Sequence, residues 1–335
     1  MRTLTLAAAT LALATPMMAQ EVNVYSARHY DSDDALYDKF TEETGIKVNR
    51  IEAKADELIA RMEAEGDNSP ADVFIAVDVG RMARAEEAGL LQAFTSDEIE
   101  ARVPEHLQHP DNLWFGLSQR ARIIFYDKAK VATPPQTYEE LADPAWKGKV
   151  CIRSSSNIYN QSLLASLIEV HGEKAAEDWA AGLVDNMARA PQGGDTDQLR
   201  GIVSGECEVA VANHYYFLRG FDKDVEGLTG GIDNIGWVWP NQDGRGAHVN
   251  LSTASLTSSA PNPEEATKLL EFLTSDFAQE HFANQNNEYA AVASAPDDDS
   301  TKRLGEFKAD TSTNTSAFSR NAGAAQATFN KVGWD

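Results

Sequence analysis

Residues 21–76, EVNVYSARHYDSDDALYDKFTEETGIKVNRIEAKADELIARMEAEGDNSPADVFIA, decide the fold. They open on EVNVYS at 21–26, whose apolar residues alternate as in a strand. Asp31, Ser32, Asp33 and Asp34 then offer N-cap chemistry for a helix ending near Gly45. A second strand is expected at 47–51, a second helix at 56–65 (DELIARMEAE) stopped by Gly66, and a third strand at 72–76. Strand, helix, strand, helix, strand predicts an α/β fold with a largely parallel sheet, helices on its faces and ligands at the carboxyl ends of its strands.

The same alternation resumes downstream. RIIFY at 122–126 and the run at 149–153 read as strands, 157–170 as a helix, 195–203 as a helix after Pro191-Gln192-Gly193-Gly194, and 208–213 as a strand. Two further runs, 236–239 and 248–252, are expected to be strands returning to the first half, and NPEEATKLLEFL at 262–273 a helix with Pro263 near its start. Residues 297–314 are charged and loosely patterned, and no repeat of 20 to 50 residues is found.

Residues 1–19, MRTLTLAAATLALATPMMA, place Arg2 ahead of a short apolar run that ends in a small residue, the pattern of a secretory signal cleaved near Ala19. No Cys lies at that point to take a lipid. The mature chain exceeds the ~250–300 residues at which a single core stops growing, so two lobes are expected. Acidic residues outnumber basic ones 52 to 29, and the net charge of −23 argues against nucleic acid or an anionic membrane surface as partner while permitting a carrier of cations. Cys151 and Cys207 each lie in a β-like run, KVCIRS and ECEVAV, which suits one disulfide in an oxidising compartment; two buried thiols are the alternative. Neither thiol sits in CxxC or beside a base. The signatures GxSxG, HExxH, GxxxxGK[ST] and GxGxxG are missing, with GLSQR around Ser118 only approaching the first, so an enzyme is not expected.

Tyrosine carries the chemistry. Tyr30 follows the first strand with His29 beside it, Tyr159 falls in the first turn of a helix, and Tyr215 and Tyr216 close a strand, all positions that face the cleft between two such lobes. A Tyr-Tyr dipeptide alone reads as half-buried packing; the convergence of four phenols points to a metal. Phenolate oxygen is a hard anionic donor suited to a hard trivalent cation, and three of them balance a 3+ charge. A phenol with pKa near 10 must lose its proton to the metal, helped at Tyr159 by the helix N-terminus. Other candidates carry less. His106 and His109 in EHLQH have helical ligand spacing, yet Pro110 and polar neighbours make a solvated loop; Gly193-Gly194 reads as a turn that could cradle an anion; Trp237 and Trp239 read as core or cleft wall, and Asp297 to Asp299 as a solvated turn.

The segments VYSARHYDSD, LSQRARIIFYDK, YEELADPAWKGKVCIRSSSNIYNQSLLAS and GECEVAVANHYYFLRG closely resemble the periplasmic ferric-iron-binding proteins of ABC importers, the FbpA/FutA family, over nearly the whole mature chain. The resemblance implies a type II periplasmic binding protein: two α/β lobes joined by crossing strands, 20–117 with 242–292 in one and 118–241 with 293–335 in the other. It implies one ferric ion held by Tyr30, Tyr159, Tyr215 and Tyr216, with His29 completing the shell or turned away. Because Tyr30 stands where some relatives use His plus a carboxylate and an added anion, mainly protein ligands are expected here. Arg120 resembles an arginine that the family places near the iron, and Arg219 follows the Tyr pair; guanidinium beside phenol would favour the ionised form, and interlobe salt bridging is the other role open to them and to Arg122. The implied protein is a periplasmic monomer whose partner is an inner-membrane permease. The alternatives are ferrous iron, or a polyamine, thiamine or sulfate carrier of the same fold, which would stay colourless.

Overall fold

The computed structural model describes residues 20–28, 30–292 and 299–335; His29, the signal segment, and Asp297 and Asp298 lie outside them. The opening elements are β1 (Glu21–Ser26), α1 (Asp34–Thr44), β2 (Lys47–Glu52), α2 (Ala55–Glu65), β3 (Val73–Val77), α3 (Val79–Glu87) and α4 (Asp97–Arg102). β1 pairs in parallel with β2 and β3. Gly45 ends α1 at φ 71°, the left-handed conformation that glycine adopts freely, with its amide on the Thr41 carbonyl. The aspartates ahead of α1 do not cap it with their side chains. Residues 31–33 form a 3-10 turn instead, and Asp33 is drawn off to the Arg28 guanidinium at 3.0 Å.

The remaining elements are β4 (Phe115–Asp127), β5 (Val150–Cys151), α5 (Ile158–His171), α6 (Glu173–Asn186), α7 (Asp195–Val203), β6 (Val209–Asn213), α8 (His214–Asp222), β7 (Ile235–Val238), β8 (Val249–Leu256), α9 (Pro263–Phe272), α10 (Asp276–Asn286), β9 (Tyr289–Ala290), α11 (Asp299–Lys302), α12 (Ala317–Arg320) and α13 (Ala322–Val332). β4 is far longer than the expected 122–126 and joins the two lobes. Its start, through Ala121, pairs with β8, which continues to β3; from Arg122 onward it pairs with β6 and β7. The partner exchange at Ala121 and Arg122 marks the crossing point.

β8 returns to the first lobe as expected. β7 does not: it pairs with Ile124 to Asp127, and the indoles of Trp237 and Trp239 donate to the Leu304 carbonyl at 3.2 and 2.9 Å. Trp239 also stacks on Phe307, so burial of two indoles on the C-terminal segment keeps this strand in the second lobe.

Each lobe has its own core. Val24, Phe40, Phe74, Leu251 and Leu270 pack in the first. The second is built on both faces of its sheet: Ile124 faces Leu164, Val211 and Phe329, while Ile123 and Phe125 face Ile202, Ala212 and Phe217, as the twofold alternation of a strand requires. Cys151 on β5 is bridged to Cys207, just ahead of β6, with Cα atoms 5.8 Å apart and both residues buried, which decides for the disulfide over two thiols.

Two secondary candidates are resolved by packing. EHLQH is not a solvated loop: His109 is buried edge-on against Trp114 with Nε2 3.2 Å from Glu86, and the His106 carbonyl accepts from Thr315. The turn at Gly193-Gly194 holds its own anion, since the Gly194 amide donates to the Asp197 carboxylate at 2.6 Å. Among the described residues no three His, Cys, Asp or Glu side chains gather as a metal site, and no helix is long and apolar enough to cross a membrane.

Candidate metal centre

The loop after β1 delivers Tyr30. Arg28, buried in that loop, fixes it: Nε donates to Asp33 at 3.0 Å, and Nη1 to Glu288 at 3.0 Å and to Ser252 on β8 at 2.8 Å. Its guanidinium carbon stands 4.9 Å from the Tyr30 ring, within cation–π range. The Tyr30 hydroxyl points at Glu288, 3.5 Å away.

Tyr159 comes from the first turn of α5. Asn157 caps that helix by accepting the Tyr159 amide at 3.1 Å, which leaves the phenol at the positive end of the helix dipole. Tyr215 and Tyr216 begin α8 rather than closing β6, because the chain turns helical at His214. The helix start holds their rings side by side, centroids 4.4 Å apart, and the Tyr215 hydroxyl donates to the Tyr159 hydroxyl over 3.2 Å. Tyr30, Tyr159, Tyr215 and Tyr216 line one cavity of about 410 Å³, with Lys54, Asp56 and Arg81 on its first-lobe wall.

Arginines surround these rings. Arg219 stands over three of them, 5.7 Å from Tyr30, 5.0 Å from Tyr215 and 5.3 Å from Tyr216, and among the described residues makes no ion pair. Arg120 combines both roles open to it in the sequence: it lies 5.7 Å from the Tyr215 ring, and its Nε donates to Glu288 at 2.9 Å. Arg122 is committed to Asp195 at 3.2 Å and Asn160 at 2.7 Å, buried beneath the Tyr159 ring. Sequence reasoning missed Arg28, Arg153 (5.3 Å from Tyr159) and Glu288 as parts of the site.

The arginines favour ionised phenols as expected, but burial opposes them. Burial pushes the Tyr30, Tyr159 and Tyr215 phenols up from the ordinary value, and it prevails over the arginines, which pull the other way. Glu288 adds to the rise at Tyr30, Tyr216 to that at Tyr159, and Tyr159 to that at Tyr215, because neighbouring anions repel. Without a cation the phenols stay protonated. A hard metal that replaces the protons removes both the desolvation cost and the mutual repulsion.

With this geometry established, comparison with known proteins is specific. The family model for bacterial extracellular solute-binding proteins matches residues 68–309. Iron uptake protein A1 of Synechocystis sp. is 50% identical over 323 residues, 96% of this chain and 89% of that protein. The major ferric iron-binding protein of Neisseria meningitidis serogroup B is 31% identical over 292 residues, 85% and 84% of the two. A solved Trichodesmium structure, FutA (IdiA) in complex with iron and citrate ligands, superposes with a TM-score of 0.91 at 49% identity, covering 94% of this chain and all of that one. The chain therefore belongs to the bacterial extracellular solute-binding proteins, among the FutA- and FbpA-like members whose motifs it carries.

Proposed function

We propose that this chain is an exported periplasmic carrier that closes around one ferric ion with the phenolates of Tyr30, Tyr159, Tyr215 and Tyr216 and delivers it to an ABC permease in the inner membrane. The observation that carries the reading is the meeting of phenols from both lobes in one cavity. Relatives named for ferric iron binding, and one solved with iron, support it. His29 adjoins Tyr30 in sequence and is the candidate for a further protein donor, completing the shell or turned away from it.

Each ring that coordinates releases its proton, so the ion takes up anionic charge only as it binds. Three phenolates balance ferric iron and overbalance ferrous iron, which favours the trivalent ion. Ligands drawn from two lobes meet only when these approach, so the bound ion stabilises the closed form through its higher affinity for it. A permease that reads closure then distinguishes loaded from empty carrier. No catalytic step is needed for this role.

The test is to purify the mature protein, load it with ferric citrate, desalt, and measure bound iron with the visible spectrum. One iron per chain and a tyrosinate-to-iron absorption band are expected. A colourless protein without iron would reject the assignment.

A further inference from the structure

Asp78 lies where β3 passes into α3, with φ 83° and ψ 127°, a left-handed conformation that side chains rarely adopt. It is buried, and its carboxylate gathers three parts of the molecule. Oδ1 accepts the Gly80 amide at 2.9 Å, within the first lobe, and the Ser162 hydroxyl at 2.8 Å, on α5 of the second lobe. Oδ2 accepts the Asn250 side-chain amide at 3.0 Å, on β8 beside the crossing point. The same junction is packed without slack: a Cβ added to Gly80 would stand 2.9 Å from Ile158 Cδ1, so the first turns of α3 and α5 touch.

Ser162 follows Tyr159 by three residues and shares its helix face. We infer that Asp78 and Ser162 form a clamp at the floor of the cleft that exists only in the closed form and fixes how deeply Tyr159 enters the site. A strained residue persists where the surrounding structure over-determines it, and here the strained turn is what presents one carboxylate to both lobes and to β8 beside the crossing point at once. Separation of the lobes breaks the Ser162 bond, so the clamp adds to the closed form a contact that the open form lacks. In contrast to Tyr159, Ser162 touches no ion; it acts by position. The link to iron retention rests on the reading of Tyr159 as a ligand, whereas the clamp itself does not.

The experiment uses the Ser162→Ala variant of the mature protein. Loaded with ferric iron, it should keep the wild-type iron content and band position but lose iron to EDTA about fivefold to tenfold faster, the loss of one hydrogen bond. Its metal-free form should give a larger radius of gyration in X-ray scattering. In an Asp78→Gly background, which suits the left-handed backbone and removes the carboxylate, the Ser162→Ala change should alter release less than twofold. Equal release rates and equal scattering for Ser162→Ala and wild type would overturn the clamp. If wild type takes up no iron, the metal reading falls instead, and the scattering comparison alone decides for or against the clamp.

Discussion

The hydroxyl of Tyr215, at the start of α8, donates to the hydroxyl of Tyr159, at the start of α5, across 3.2 Å. Two phenols this close cannot both ionise in a buried site unless a cation lies between or beside them, because like charges repel strongly where water is excluded. That pair sets the behaviour expected of the site.

Replacing Tyr215 and Tyr216 together by Phe should weaken the charge-transfer band strongly and lower ferric affinity by at least ~1,000-fold, since two of the four anionic donors are lost. Rings of nearly the same volume remain in place, so far-UV circular dichroism should be unchanged and the melting temperature should move by only a few degrees. Iron titration of the purified variant checks both parts.

Iron affinity should fall steeply with acidity. Burial holds the Tyr159 and Tyr215 phenols above the ordinary value, so protons compete with the metal across the whole neutral range. Release of about four protons per ion, one from each ring, would weaken binding by up to about 10,000-fold for each unit of pH lost. Potentiometric titration during loading counts these protons directly; no proton release would contradict phenolate ligation.

Glu288 should govern acid stability in a separate window. Burial alone would raise its carboxyl, but the guanidiniums of Arg120 and Arg28 and the Ser118 hydroxyl bring it down to about 2. Because the folded value lies below the unfolded one near 4.3, the stabilisation, about 3 kcal/mol, is present above that pH and lost as pH falls towards 2. Glu288→Gln should flatten that slope in denaturant unfolding measured from pH 5 to 2.5. At pH 7 it should cost about 3–5 kcal/mol, because the two buried guanidiniums lose their shared anion.

His214 contributes with the same sign at higher pH. Burial lowers its imidazole to about 4, and it stays neutral with Nε2 donating to the Asn287 carbonyl at 2.7 Å and Nδ1 accepting the Ala121 amide at 3.1 Å. The unfolded chain takes up that proton near pH 6.5, so stability should decline between about 6.5 and 4 by about 3 kcal/mol and then level off. His214→Gln should remove this part of the decline in the same unfolding series.

The Cys151–Cys207 bridge closes a separation of 56 residues and should stabilise the second lobe by about 4 kcal/mol through the unfolded chain. Calorimetry of the double Ala variant should show a lower melting temperature. Iron content at 25 °C should be unchanged, because neither Cys lines the cavity.

Local pattern made much of the fold legible. The first three strands and two helices lie within a residue or two of their expected bounds, and α7 coincides with 195–203, because alternation and punctuation by Gly45 and Gly66 are local signals. Partner choice is not local. Nothing in RIIFY says that the strand begins at Phe115 and serves both lobes, and nothing in GWVW says that its indoles will seek Leu304. The four tyrosines were visible because each stands at the end of an element, whereas Glu288, 260 residues from Arg28, has no sequence signal beyond being a lone carboxylate ahead of a short apolar run. The arginines do favour the ionised form, as expected, but burial outweighs them at Tyr215, since desolvation depends on packing that composition does not reveal.

Resonance Raman spectroscopy of the iron-loaded protein, excited within its visible band, tests the central claim most directly. Coordination by phenolates from both lobes predicts enhanced tyrosinate ring modes that weaken in Tyr30→Phe as well as in Tyr159→Phe. A loaded protein whose spectrum lacks those modes, or keeps them undiminished in both variants, would contradict it.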